Sequence, residues 1–288
     1  MGRVWSAEES LAYTHWLATH HYENFHVVSF LLPKRLHQDF YNVYSFCRWA
    51  DDLGDEIGDP VESLRLLAWW RGETAKLYER GEADHPVFVA LRGTAERHEL
   101  PREPFDDLIT AFVQDQTTLR YETLQDLYGY CRYSANPVGR LVLYLCGYRD
   151  AERQRMSDAT CTALQLANFW QDVSVDLEKG RIYLPLEVLH KHGGREQDVV
   201  ERRFTPAIRA AMAEVVEEAR RLFAQGLPLA RTVDRRLSLD LELFNRGGLK
   251  ILDKVEALGY DVLSQRPAIS KVERAGVLVS SLVRWAFA

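Results

Sequence analysis

Along nearly the whole chain the apolar residues recur at helical spacing, and runs that alternate in the manner of a β-strand are few and short. Helices patterned this way bury their apolar sides only by packing on one another, so the sequence specifies an all-α fold. The periodicity predicts helices over about 7–20, 34–56, 61–80, 84–98, 104–115, 123–147, 155–177, 185–191, 205–226, 233–259 and 270–287. Proline and glycine punctuate them. Pro33, Asp59-Pro60 and Pro185 mark helix starts, Pro101 and Pro104 mark a loop, and Gly193-Gly194 follows a short helix. Pro137 and Gly139 fall inside one helical span, where proline removes a backbone donor and clashes with the preceding turn, so a kink or break is expected there. That break leaves Asn136 and nearby backbone groups to be satisfied by a ligand or an ordered water, or to mark a packing kink.

With 288 residues, 47% hydrophobic and 27% charged, the chain can bury a sizeable core, and disorder, collagen and coiled-coil fibre are excluded. No Gly/Ser-rich or Pro-rich linker divides it, which favours one helical domain over 1–288. A balance of 36 basic against 42 acidic residues, net -6 and without a charged tail, argues against nucleic acid as a partner. Cys47, Cys131, Cys146 and Cys161 form no CxxC pair and sit in apolar segments, as buried thiols in a reducing compartment do. Glu8, Glu9, His15 and His20 interrupt the first helix, so a signal peptide is not expected and the cytoplasm is the default location. The apolar run 275–288 contains Arg284 and is too short to span a bilayer. It reads as a last packed helix, with peripheral contact at the inner membrane as the alternative.

Two acidic clusters carry the chemistry. Asp51 and Asp55 stand four residues apart, about 6 Å along one helix face, close enough for both carboxylates to hold shared or neighbouring magnesium ions, while Asp52 turns elsewhere. Asn168, Asp172 and Asp176 repeat at the same interval, and Gln165 extends that side. One such pair is equally at home on a solvated helix. Two, each adjoining aromatic helices, point to a metal-assisted diphosphate site, because like charges so close cost stability unless a cation joins them. Arg48 shares the face of Asp51, Arg140 follows the break at Pro137, and Arg181 with Tyr183 lies just past the second cluster, where both can meet phosphate oxygens.

The two motifs, with Tyr130-Cys131-Arg132-Tyr133-Ser134-Ala135-Asn136-Pro137-Val138-Gly139 and Gly180-Arg181-Ile182-Tyr183-Leu184-Pro185, resemble the bacterial squalene/phytoene synthase family over roughly residues 15–265. Glu23-Asn24-Phe25, Trp49-Ala50-Asp51-Asp52 and Ser134-Ala135-Asn136-Pro137 are most similar to the hydroxysqualene synthases of hopanoid-making bacteria. The resemblance implies an isoprenoid synthase helical bundle around a central cavity. It implies Mg2+ held by Asp51, Asp55, Asp172 and Asp176 with Asn168, and diphosphate handled by Arg48 and Arg181. Phe169-Trp170-Gln171 and Ser174-Val175 depart from the commoner family form, although the acids stay in place.

The activity so implied converts presqualene diphosphate and water into hydroxysqualene and diphosphate. No nicotinamide is expected, since water quenches the cation. Phe25, Phe30, Tyr44, Phe46, Phe169 and Trp170 become candidates to line the cavity and stabilise a carbocation with their ring faces, with ordinary core packing as the alternative for each. Asn136 becomes the candidate for positioning the attacking water. Association with other hopanoid pathway enzymes is a further expectation. Three other readings stay open: condensation of two prenyl diphosphates to presqualene diphosphate, squalene or phytoene, a non-catalytic assembly protein of the same fold, and a helical interaction module with no relation to the family.

Overall fold

A computed structural model describes residues 4–20 and 32–287, with side chains through 282. Thirteen α-helices are described: α1 (Ala7–His20), α2 (Lys34–Asp55), α3 (Pro60–Arg80), α4 (Pro86–Arg97), α5 (Glu103–Asp115), α6 (Leu124–Ser134), α7 (Asn136–Leu145), α8 (Ala151–Asp176), α9 (Leu186–Lys191), α10 (Glu196–Val200), α11 (Pro206–Gly226), α12 (Arg235–Ala257) and α13 (Lys271–Phe287). Short 3-10 turns follow α8 and α11. There is no β-strand among the described residues, only one bridge between Arg120 and Ile182. The all-α fold read from periodicity is the fold observed.

The expected break is a clean one. Ala135 separates α6 from α7, and Pro137 becomes the second residue of a new helix, where no N–H is required of it. The periodicity placed the start of α8 four residues late and gave no sign of the five-residue α10.

The chain divides into two compact units. The first comprises Met1–Thr117 and Pro137–Asp150, and the second Thr118–Asn136 and Ala151–Ala288.

In the first unit α2 packs against α1, α3, α4 and α5. Its buried Leu36, Phe40, Val43, Phe46, Ala50 and Leu53 follow the helical period, and their neighbours in the core include Trp70, Phe88, Phe105, Ile109 and Leu141. Phe46 has no accessible surface, and its ring lies 4.8 Å from that of Phe105 and 5.5 Å from Trp70. Phe46 is therefore a packing residue, which corrects its assignment to a cavity wall. Tyr44 packs against the same core from a half-buried position.

Polar groups join α1, α2 and α4. Asn42 accepts from Thr14 at 2.6 Å and from Gln38 at 2.9 Å, and donates to Thr94 at 3.0 Å. Asp39 accepts from Thr94 at 2.7 Å and from Arg97 at 2.5 Å, with His98 Nε2 at 2.9 Å. Interior polar atoms so satisfied fix the register of the three helices.

The 26-residue α8 is the spine of the second unit and packs on α6, α11 and α12. Two glycines permit the closest approaches. A Cβ on Gly226 would lie 2.1 Å from Thr160 Oγ1, and one on Gly248 would lie 2.3 Å from Phe223 Cζ. The C-terminal α13 packs on α12.

Candidate functional site

The first acidic group ends α2. Arg48 reaches forward over one turn and divides its guanidinium between Asp51, at 3.3 Å, and Asp52, at 2.7 Å. Asp52 was expected to turn away from this group, but a long arginine side chain spans both positions. Asp55 closes the helix, so three carboxylates crowd the last five residues, with no basic residue in the final turn. That is the negative end of the helix dipole, where anions are disfavoured and cations favoured.

The second group repeats the arrangement. Asp172 and Asp176 occupy the last turns of α8, again with no basic residue in the final turn. Burial, and then the nearby Asp172, push Asp176 up to about 7, against the opposing pull of Arg181, Lys179 and Arg266. Asn168 and Gln165 lie one and two turns earlier, Asn168 exposed and Gln165 half-buried. A pair of helix-ending carboxylates, one of which resists ionisation even beside Arg181, Lys179 and Arg266, is a donor set of hard oxygens of the kind that divalent cations favour. The residues present therefore fit magnesium. Among the described residues no three His, Cys, Asp or Glu side chains already converge as a closed cage.

Beyond α8 the chain turns at Gly180, whose φ of +71° suits glycine. The Arg181 N–H returns to the Asp176 carbonyl at 2.9 Å, and the Ile182 N–H donates to Leu119 at 3.0 Å. Arg120 secures the same turn by donating to the Gly180 carbonyl and pairing with Glu196 at 2.6 Å. This anchoring seats Tyr183 in an aromatic nest. Its ring lies parallel to Phe169 at 3.8 Å, with Tyr121 at 5.8 Å and Tyr130 at 6.1 Å. Trp170, one residue on, has no accessible surface. It is a packing residue like Phe46, and its cavity assignment is corrected for the same reason.

Asn136 is buried, and its side-chain carbonyl accepts from Thr162 of α8 at 2.9 Å. A neighbouring hydroxyl thus supplies one of the partners that the break was expected to leave to ligand or water. Arg140 lies half-buried on α7. Phe25 and Phe30 lie outside the described residues.

The second unit therefore brings together Asp172, Asp176, Arg181, Phe169 and Tyr183, and the first holds Arg48, Asp51 and Asp55 on one helix end. Three contributors escaped sequence reasoning. Tyr121 and Tyr130 lack any spacing signal toward Tyr183. Arg266 donates to Asp172 through Nε at 2.5 Å and through a second nitrogen at 3.2 Å. The placement of both acid pairs at helix C-termini was available from the periodicity as a further signal.

Relatives share this framework. The chain is 34% identical to the phytoene synthase of Thermus thermophilus, over 90% of this chain and 87% of that one. It is also 34% identical to the hydroxysqualene synthase of Rhodopseudomonas palustris, over 93% and 92%. The crystal structure of squalene synthase HpnC from Alicyclobacillus acidocaldarius superposes with a TM-score of 0.84 at 44% identity, covering 88% of this chain and 95% of that one. Residues 18–273 match the squalene/phytoene synthase family. The chain belongs to this family of isoprenoid synthases.

Proposed function

We propose that the protein is a hydroxysqualene synthase, taking presqualene diphosphate and water to hydroxysqualene and diphosphate. The observation that carries the diphosphate chemistry is the pairing of carboxylates at two helix C-termini, where the fold disfavours anions unless cations accompany them. Asp51, Asp55, Asp172 and Asp176, with Asn168, would hold magnesium, which when bound neutralises charge on a departing diphosphate.

The chain's own residues do the rest. Arg48, Arg140 and Arg181 offer guanidinium donors to phosphate oxygens, and Gln165 offers its amide. Tyr183, held in place by stacking on Phe169 and two residues beyond Arg181, adds a hydroxyl donor to the set. The ring faces of Phe169 and Tyr44 stabilise positive charge left on carbon as the carbon–oxygen bond breaks. Asn136, oriented by Thr162, holds the water that adds to the cation and loses a proton. No nicotinamide takes part. The hydroxysqualene synthase relatives support this choice of quench. The same reading places the enzyme in the cytoplasm, in peripheral contact with a membrane and beside other hopanoid pathway enzymes.

A second reading has a specific observation in its favour: the phytoene synthase relative matches at the same 34% identity. It makes the chain a head-to-head condensing enzyme for prenyl diphosphates. One experiment separates the two. The purified protein is incubated with presqualene diphosphate, farnesyl diphosphate or geranylgeranyl diphosphate, with and without nicotinamide. Hydroxysqualene from presqualene diphosphate, independent of nicotinamide, is expected. Phytoene from geranylgeranyl diphosphate, with no turnover of presqualene diphosphate, would overturn the proposal.

A further inference from the structure

The last helix carries an apolar face that points away from the fold. On α13, Glu273, Val277 and the buried Ser281 recur every four residues and mark the side toward α12. Glu273 is fixed there by Lys254 at 2.6 Å, and Arg246 donates to Ser280 at 3.3 Å. The opposite side presents Val272, Leu278, Val279 and Leu282, which are 81%, 44%, 58% and 37% exposed, together with Ala275. Single exposed aliphatic residues need no explanation, but a row of four on one helix face marks a binding surface.

Charge identifies the occupant. Lys271 and Arg274 flank the row and are exposed. The only acid in α13 is Glu273, which is turned inward and already paired. The outward face is therefore apolar and purely cationic, on a chain whose net charge is -6. A second copy of the same face would bring cation against cation. A helix of 17 residues, about 25 Å long, is too short to span a bilayer upright but suits lying in its surface, and no described helix is long and apolar enough to cross one.

We infer that the outward face of α13 docks on an anionic lipid surface, with Val272, Leu278, Val279 and Leu282 entering the acyl boundary and Lys271 and Arg274 meeting lipid phosphates. This gives the proposed peripheral membrane contact a named surface. It rests on that part of the reading alone and holds whichever prenyl diphosphate is the substrate.

The test is flotation of the full chain with phosphatidylcholine vesicles and with vesicles that also contain phosphatidylglycerol. Binding is expected to the second kind, to weaken with salt, and to fall about tenfold or more in Val279→Asp. The double variant Lys271→Ser/Arg274→Ser is expected to lose about tenfold on anionic vesicles alone. Because these side chains are exposed, the thermal midpoint and the turnover of detergent-dispersed substrate should stay at the parent's values, so that loss of docking is read apart from loss of the enzyme reading. Absence of flotation by the parent, or undiminished flotation of Val279→Asp, would overturn the inference. So would a parent dimer that Val279→Asp dissociates with no vesicle binding, which would assign the face to a second copy.

Discussion

Arg266 grips Asp172 with two nitrogens, one on each carboxylate oxygen, at 2.5 and 3.2 Å. The grip is braced next door, where Gln171 donates to the Pro267 carbonyl at 2.7 Å. A cation from the chain itself thus sits on a carboxylate proposed to hold magnesium, and the two compete for the same lone pairs. An ion pair this exposed is worth up to about 1 kcal/mol, or roughly fivefold in an equilibrium. Arg266→Ala should therefore lower, by about threefold, the magnesium concentration that half-saturates thermal stabilisation of the substrate-free protein. An unchanged or higher half-saturating concentration would show that the arginine does not compete.

Asp176 should show stability and activity moving in opposite directions. Burial and Asp172 raise its carboxyl to about 7, whereas in the unfolded chain it titrates near the ordinary carboxylate value of about 4. Between those values the folded chain holds a proton that the unfolded chain has lost, so stability falls as the pH rises from about 4 to about 7. Asp176→Asn removes that penalty. In chelator at pH 8 the variant should melt above the parent, and with magnesium its turnover should drop on the order of a hundredfold. A variant that melts lower and retains its turnover would place Asp176 among ordinary structural carboxylates.

The sequence exposed the helices well and the site only in part, for physical reasons that differ by residue. Periodicity located α2 and α8, and the four-residue interval of Asp51 and Asp55, and of Asp172 and Asp176, is a local property that survives folding. Arg266 is different. It pairs across 94 positions with Asp172 from a loop that has no period to read. Tyr121 and Tyr130 join Tyr183 through the turn at Gly180 and the pairing of Leu119 with Ile182, which no residue pattern announces. Phe46 and Trp170 show the converse. Aromatic character beside an acidic motif suggested a cavity wall, while close packing claimed both rings.

Asp39 contributes to the stability of the first unit in a way that acid removes. Its burial works against ionisation, but hydrogen bonds from His98, Thr94 and Arg97 outweigh that and hold the carboxyl below the usual range. A carboxylate depressed in the folded state contributes stability that is complete above about pH 4 and lost as the pH falls through its folded value. Asp39→Asn removes the charge that strengthens the hydrogen bonds from Thr94, His98 and the solvent-reaching Arg97, and should cost about 2 kcal/mol at neutral pH. Urea unfolding of parent and variant across the acid range should show the gap closing below pH 4. A gap of constant size would mean that shape, not charge, explains the residue.

The water-positioning role of Asn136 can be separated from its structural role through its partner. Thr162 donates to the amide oxygen at 2.9 Å inside the second unit, so Thr162→Val leaves that buried oxygen unpaired and should cost about 1–3 kcal/mol in stability. Asn136→Ala removes the amide as well, together with any hold on the attacking water. If the amide directs water, Asn136→Ala should shift products from hydroxysqualene toward olefins formed by proton loss, while overall consumption of presqualene diphosphate changes little, because ionisation precedes capture. Thr162→Val should shift the product ratio in the same direction but less, since the amide persists and loses only its orientation. Equal destabilisation of both variants with an unaltered product ratio would reduce Asn136 to a packing residue at the start of α7, and the water would have to be held elsewhere.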